Sequence, residues 1–231
     1  MSKVSVSAVI LAAGVGKRMM SDITKQQIKI LGKTVLQRTV EAFDAAKSVT
    51  EIVVVAKADE LEYIENTVKS ATKKPYRVVL GGDTRAESAR RGFSAIDSGA
   101  NLVAIHDGAR CLITPNMIDA VVEKAASFGA ASAVAEVTDT LKQVDEQGII
   151  RGTLPRKRIL KAQTPQVFSV EIYSRALSHT DSADEWITDD NMLVEALGID
   201  IHCVNLGQNN IKITTNDDLI LAEMILNKRG E

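Results

Sequence analysis

Short apolar runs alternate along this chain with stretches of helical period. Val6 to Leu11, Ile52 to Ala56, Arg77 to Leu80, Leu102 to His106 and Ala131 to Val137 have strand length and little internal polarity, the pattern of strands covered on both faces. Between them, Val35, Leu36, Thr39, Val40 and Phe43 share one helical face, as do Leu61, Ile64, Val68 and Ala71. Thr84 to Ile96 and Pro115 to Phe128 are predicted as further helices, the second with proline in its first turn. This order predicts an α/β fold, a mostly parallel sheet with helices on both faces.

The alternation breaks between Asp139 and Ala162, a polar stretch rich in Lys and Arg, where Asp145-Glu146-Gln147-Gly148 reads as a hairpin turn. A two-stranded projection is marginal alone and needs something to dock on, a second subunit being the natural candidate. Thr164 to Phe168 then returns to the body, a short strand is expected near Ile201 to Val204, and a last helix runs from about Asn216 to Asn227. Thr215 with Asp218 resembles a capping box for that helix. Residues 1–231 are thus read as one domain carrying 139–162 as a dimerisation arm.

Composition narrows the function. At 45% hydrophobic and 25% charged residues, the chain has the makeup of an ordinary globular protein. A net charge of −2 argues against nucleic acid as main partner. No apolar run reaches the roughly 18 residues needed to span a bilayer, and no signal-peptide pattern precedes the first strand, so a cytoplasmic protein without a membrane partner is expected. Cys111 and Cys203 stand far apart and signal neither a disulfide framework nor a zinc site.

Leu11-Ala12-Ala13-Gly14-Val15-Gly16-Lys17-Arg18-Met19 follows the first strand directly, where α/β sheets bind ligands. Met19 breaks the dinucleotide fingerprint, and Arg18, with Leu11 in place of glycine, breaks the P-loop. Two readings stay open at this point: a small-residue loop around a triphosphate neutralised by Arg18 and Lys25, or a tight turn with solvated basic residues.

The wider set of motifs decides. Ala12 to Met19 is followed by Lys25-Gln26, Gly81-Gly82-Asp83-Thr84-Arg85 with Ser88, and His106-Asp107-Gly108-Ala109-Arg110. Next come Asp139-Thr140-Leu141-Lys142, Arg156, Gln163 to Phe168, Thr188-Asp189-Asp190 and Asn210-Ile211-Lys212-Ile213-Thr214. Over nearly the whole chain this series resembles the 2-C-methyl-D-erythritol 4-phosphate cytidylyltransferase family of the non-mevalonate isoprenoid pathway, a branch of the sugar-nucleotide transferases. The resemblance implies a Rossmann-like sheet of the nucleotide-diphospho-sugar transferase type with a projecting β-arm. It implies transfer of CMP from CTP to 2-C-methyl-D-erythritol 4-phosphate and a homodimer; a Mg²⁺ ion, its protein ligands left unassigned by the sequence, is expected as in phosphoryl transfers generally. Arg18 and Lys25 would stabilise the transition state at the α-phosphate, while Arg156 and Lys212 would position the acceptor. Ala12, Ala13, Gly14, Gly16, Gly82, Asp83 and Ser88 would hold the cytidine. Asp107, Arg110, Thr140, Thr164 and Thr188 would line the acceptor side, with the arm exchanged so that Thr140 and Arg156 serve the other subunit.

Three positions depart from the family pattern. Thr24 stands where proline usually precedes the lysine, Cys111 replaces a proline, and Asn209 stands where many members carry Asp. Simpler roles are expected for several neighbours: Arg85 as a helix opener, Asp189 and Asp190 as caps of the helix beginning there, Trp186 as packing, and Lys142, Lys157, Arg158 and Lys161 as solvated arm surface. A phosphate monoester is already an anionic nucleophile, so the transfer needs positioning and charge stabilisation rather than a base, which suits the scattered His106, His179 and His202. The nearest alternative is a ribitol-5-phosphate cytidylyltransferase, whose relatives typically read L-A-G-G in the first loop and lack Lys after D-T-x. A hexose-1-phosphate nucleotidyltransferase, a catalytically dead nucleotide sensor and a hydride-transfer enzyme fit the motifs less well.

Overall fold

The apolar runs become the strands of one seven-stranded sheet in the computed structural model, which describes residues 4–14, 24–179 and 187–231. In chain order the elements begin β1 (Val6–Leu11), β2 (Lys29–Ile30), β3 (Lys33–Thr34), α1 (Val35–Ala45), β4 (Glu51–Ala56), α2 (Leu61–Ala71), β5 (Tyr76–Leu80), α3 (Arg85–Ser94), β6 (Leu102–Asp107) and α4 (Pro115–Phe128). They continue with β7 (Ala130–Glu136), β8 (Lys142–Val144), β9 (Ile150–Thr153), β10 (Leu160–Ser169), α5 (Val170–His179), α6 (Asp190–Glu195), β11 (His202–Asn205) and α7 (Asn216–Arg229). The large sheet runs β11-β7-β10-β6-β1-β4-β5, and only β10 opposes the direction of the others. The mostly parallel sheet flanked by helices is as expected. β2, β3 and α5 were not anticipated, and the main sheet resumes at Leu160, inside the stretch read as arm.

Every residue of β1, β4 and β6 is buried, because helices cover both faces of the sheet. Ala8, Ile10, Ile52 and Val54 pack with Leu36, Val40, Phe43, Ile64, Val68, Ile118 and Val121 from α1, α2 and α4. Val9, Leu11, Val53 and Val55 turn the other way, onto Ala89, Tyr173, Leu177, Leu193 and Val194 from α3, α5 and α6. A third cluster joins Ile30 and Val35 to Leu112, Ile213, Ala222 and Leu226, seating α7 beside the first loop. Truncating a side chain such as the wholly buried Phe43 to Ala would cost about 3–5 kcal/mol.

Side-chain caps set the helix starts. Thr34, Thr84 and Thr114 accept from the backbone N–H of Gln37, Glu87 and Met117, and Thr215 with Asp218 forms the expected capping box on α7. Gly129 ends α4 with φ 86°, a left-handed conformation that glycine adopts without strain.

Two features of this fold place the site. The chain steps outward from β1 to β4 and β5, then crosses back to β6 on the other side of β1. That reversal opens a crevice beyond the carboxyl ends of β1 and β6, where Leu11 lies opposite Asp107. The other feature is the arm, a hairpin of β8 and β9 turned at Asp145, whose carboxylate accepts from the Gln147 and Ile149 N–H groups. Val144, Ile149 and Ile150 on it are exposed. Among the described residues no helix is long and apolar enough to cross a membrane, and Cys111 and Cys203 are free thiols.

Candidate active site

Two adjoining cavities occupy the crevice, of about 340 Å³ and about 220 Å³. Arg85, Asp107 and Lys212 line both and form the wall between them. The larger cavity opens between two loops, Ala13-Gly14 after β1 and Gly82-Asp83 before α3, with Lys25 and Ser88 on its walls. The smaller is bounded by Arg110, Thr164, Gln166, Thr188 and Asp189.

The two loops of the larger cavity are held together from beneath. A Cβ on Gly81 would lie 2.6 Å from Ala13 Cβ, so only glycine permits this approach. Ser88, at 5% exposure, accepts from the Gly82 N–H at 3.1 Å. Its hydroxyl thereby stiffens the loop. Lys25 opens the 3₁₀ turn Lys25–Gln27, and Gln26 is buried beside it.

Asp107 ends β6 and draws the cations together. Lys212 Nζ lies 3.0 Å from its carboxylate, Arg110 Nε 3.4 Å and Arg85 Nε 3.6 Å. Burial pushes this carboxyl up, but Arg85, Lys212 and Arg110 outweigh it and hold it well below the usual carboxylate range. Burial also pulls the Arg110 guanidinium down, and Asp107 opposes that. Arg85 reaches a second carboxylate, with Nη1 2.7 Å from Asp190 Oδ2. Burial would lower its pKa, yet Asp190 and Asp107 raise it, so Arg85 stays charged. Asp190 also accepts from the Tyr173 hydroxyl at 2.5 Å and donates its N–H to Gln166 Oε1 at 2.9 Å.

The backbone around these groups is pinned. The Asp107 N–H donates to Thr164 Oγ1 at 3.0 Å, and His106 Nδ1 contacts the same hydroxyl at 3.0 Å. Burial pulls the His106 imidazole down to about 3, so it is neutral at physiological pH. The strip carrying Lys212 is tied by Arg110 Nη1 to the Asn210 carbonyl at 2.9 Å and by the Ile213 N–H to the Ala109 carbonyl at 2.9 Å. Asn210, fully buried, donates to Gln163 Oε1 and to the Thr164 carbonyl. Fixed cations beside two cavities can stabilise charge developing on phosphate oxygens without reorganising.

Comparison with known proteins decides the family. The family model described as 2-C-methyl-D-erythritol 4-phosphate cytidylyltransferase matches residues 6–228. The chain belongs to this family. A 2-C-methyl-D-erythritol 4-phosphate cytidylyltransferase of Caldanaerobacter subterraneus subsp. tengcongensis is 40% identical over 228 residues, covering 97% of this chain and 100% of the relative. One from Nostoc sp. is 37% identical, covering 95% and 97%. Among solved structures, the 4-diphosphocytidyl-2C-methyl-D-erythritol synthase of Anaerococcus prevotii superposes with a TM-score of 0.87 at 26% identity, covering 98% of this chain and 100% of the other. A 2-C-methyl-D-erythritol 4-phosphate cytidylyltransferase of Thermus thermophilus gives 0.76 at 29%, covering 96% and 99%.

In this cytidylyltransferase fold, most residues singled out from sequence meet at the crevice. Lys25, Ala13, Gly14, Gly82, Asp83 and Ser88 border the larger cavity, Arg110, Thr164 and Thr188 the smaller, and Asp107 and Lys212 both. Arg18, Gly16 and Trp186 fall outside the described residues. Thr140 and Arg156 are exposed on the arm and border neither cavity; Arg156 Nη1 donates to the Thr138 carbonyl at 2.6 Å.

Two expectations need correcting, for Ala12 and Asp190, and two need extending, for Thr164 and Arg85. Ala12 is fully buried and spends its N–H on the Val55 carbonyl at 2.8 Å, so it supports the loop after β1 from below. Thr164 borders the smaller cavity, as expected, and its hydroxyl also accepts from the Asp107 N–H and contacts His106. Only Asp189 caps α6, accepting from the Met192 N–H, whereas Asp190 pairs with Arg85. Arg85, read as a helix opener, is a wall of both cavities. One sequence signal could have exposed it: a cation at the first position of a helix opposes the helix dipole, so its partner had to lie elsewhere.

Proposed function

We propose that this chain transfers CMP from CTP to 2-C-methyl-D-erythritol 4-phosphate, releasing pyrophosphate and forming the CDP-linked methylerythritol. The observation that carries this reading, beside family membership, is the cationic wall of Arg85 and Lys212 between two cavities. The larger suits the nucleotide and the smaller the acceptor. An oxygen of the acceptor phosphate attacks the α-phosphorus, the bond to the bridging β-phosphate oxygen breaks, and pyrophosphate carries away the electron pair. No proton has to leave the nucleophile, in keeping with a neutral His106 behind the site. Lys25 and Arg18 are assigned to the α-phosphate, Lys212 and Arg156 to the acceptor phosphate. Asp107 orients the cations around it, so that little reorganisation accompanies transfer.

Among the described residues no group of three His, Cys, Asp or Glu side chains is arranged to hold a metal. Asp83 and Asp107 are the carboxylates on the wall of the larger cavity, and they are the residues that would help hold a Mg²⁺ ion beside a triphosphate. Such an ion would supply charge neutralisation on phosphate oxygens. Free thiols and the absence of a membrane-length helix among the described residues support a cytoplasmic setting.

The same reading makes the enzyme a homodimer whose arms deliver Thr140 and Arg156 to the other subunit. Support comes from the apolar side chains exposed on the arm and from the position of both residues outside either cavity. Two measurements test the proposal. Pyrophosphate release across the four NTPs with methylerythritol 4-phosphate or ribitol 5-phosphate should be fastest for CTP with the former; ribitol phosphate as the better acceptor would overturn the substrate assignment. Mixing inactive Arg156→Ala and Lys212→Ala chains should restore about a quarter of wild-type activity, since one intact site forms in each mixed dimer. No recovery from chains shown to exchange would remove the shared site.

A further inference from the structure

Lys25, which the proposed function places at the α-phosphate, begins a single 3₁₀ turn, and one turn has little rigidity of its own. A carboxylate from another element grips it. Glu60 closes the 3₁₀ turn Ala58–Glu60, which leads from the buried strand β4 into α2, and is only 4% exposed. Its Oε1 accepts from the Thr24 hydroxyl and, at 3.1 Å, from Gln27 Nε2. These donors stand on either side of Lys25 in the chain. The Gln27 N–H also returns to the Thr24 carbonyl at 3.0 Å, closing the turn. Glu60 Oε2 is buried with no hydrogen-bond partner among the described residues, a costly state for a carboxylate.

We propose that Glu60, Thr24 and Gln27 form a clasp that positions Lys25, its donors holding the turn from both sides of the lysine. Thr24 has φ −76° and ψ 159°, within the range a proline ring enforces. Proline holds such a residue by removing conformational freedom. Threonine is held by a hydrogen bond to a charged acceptor seated on the β4–α2 crossover. A proline ring fits the backbone that this hydrogen bond holds. The inference rests on the reading of Lys25 as a catalytic cation.

The test is steady-state pyrophosphate release by the full chain, with thermal melting in parallel, for Thr24→Val, Thr24→Ser, Thr24→Pro, Lys25→Ala and the Thr24→Val/Lys25→Ala double variant. Thr24→Val should lower kcat roughly tenfold, the scale of one hydrogen bond to a charged group, with the acceptor KM within about twofold of wild type. Thr24→Ser, which keeps the hydroxyl, and Thr24→Pro, which supplies the stiffness, should both recover most of the rate. In the Lys25→Ala background, Thr24→Val should cost nothing further, because the clasp acts through the lysine. Full turnover by Thr24→Val, an equal penalty with and without Lys25, or a folded Thr24→Ser as slow as Thr24→Val would each overturn the clasp. Near-full turnover by Lys25→Ala would instead overturn the role of Lys25 itself, and the clasp with it.

Discussion

Asp190→Ala removes a buried carboxylate that pairs with Arg85 and holds Tyr173. Tyr173 is fully buried and its hydroxyl donates to Asp190 Oδ1 at 2.5 Å, so losing that acceptor costs about 1–3 kcal/mol. Arg85 loses its nearer partner as well. Breaking a buried ion pair from one side typically costs about 3–5 kcal/mol, but Arg85 keeps Asp107 at 3.6 Å and its side chain is 25% exposed. Water and the second carboxylate therefore cut the penalty, and the two losses share one residue and do not simply add. The expected total is about 3–4 kcal/mol, a fall of roughly 10 °C in Tm for a chain of this size. Asp190→Asn retains an acceptor for Tyr173 and should cost about half as much. The assay is urea unfolding followed by circular dichroism, with ΔG compared at equal m. A cost for Asp190→Ala within about 0.5 kcal/mol of zero, the level of an ordinary surface substitution, would refute the view that Asp190 anchors the cavity wall.

Gly81→Ala sets a Cβ 2.6 Å from Ala13 Cβ and 3.0 Å from Ser88 Oγ. The two nucleotide loops must part, so CTP affinity by calorimetry should fall about tenfold, the lower end of the cost of overpacking; unchanged affinity would show that their spacing does not matter. His106 gives an acid-range prediction. Its folded pKa of about 3 lies below the unfolded value near 6.5, so the unfolded chain takes up the proton first. The stability is whole above about pH 6.5 and is lost as pH falls toward 3, amounting to about 2 kcal/mol by pH 5. His106→Asn should flatten the urea midpoint across that window, whereas a slope equal to that of wild type would assign the acid loss elsewhere.

Much of the fold was legible because both faces of the sheet are covered, which turned β1, β4 and β6 into unbroken apolar runs. Capping residues did the same for α4 and α7. The misses have physical reasons. β2 and β3 span two residues each, too short for any period to register. α5 buries only Tyr173, Ala176 and Leu177, an apolar face too short to stand out as a period. Ala13, Gly14, Gly82 and Asp83 were readable as candidates because they follow the ends of β1 and β5 closely. Arg85 and Asp190, far apart in sequence, meet only because α3 and α6 cover the same face of the sheet, and no local pattern encodes such a pairing.

That pairing also explains why a site for two anions keeps two acidic residues. Arg85, Arg110 and Lys212 come from α3, the turn after β6 and the strip before α7. Left alone, like charges so close would repel and swing into solvent, and a phosphate would have to order them at its own entropic expense. Asp107 removes that cost by holding all three cations at once, and Asp190 fixes Arg85 from behind. The cations still outnumber the carboxylates, so the wall remains positive toward both cavities. The position of Asp107 is no accident of a turn: it ends β6 beside the end of β1, at the reversal of strand order, where the loops carrying the other groups must pass. The sheet topology selects the place, and the carboxylate there turns scattered cations into one preorganised surface.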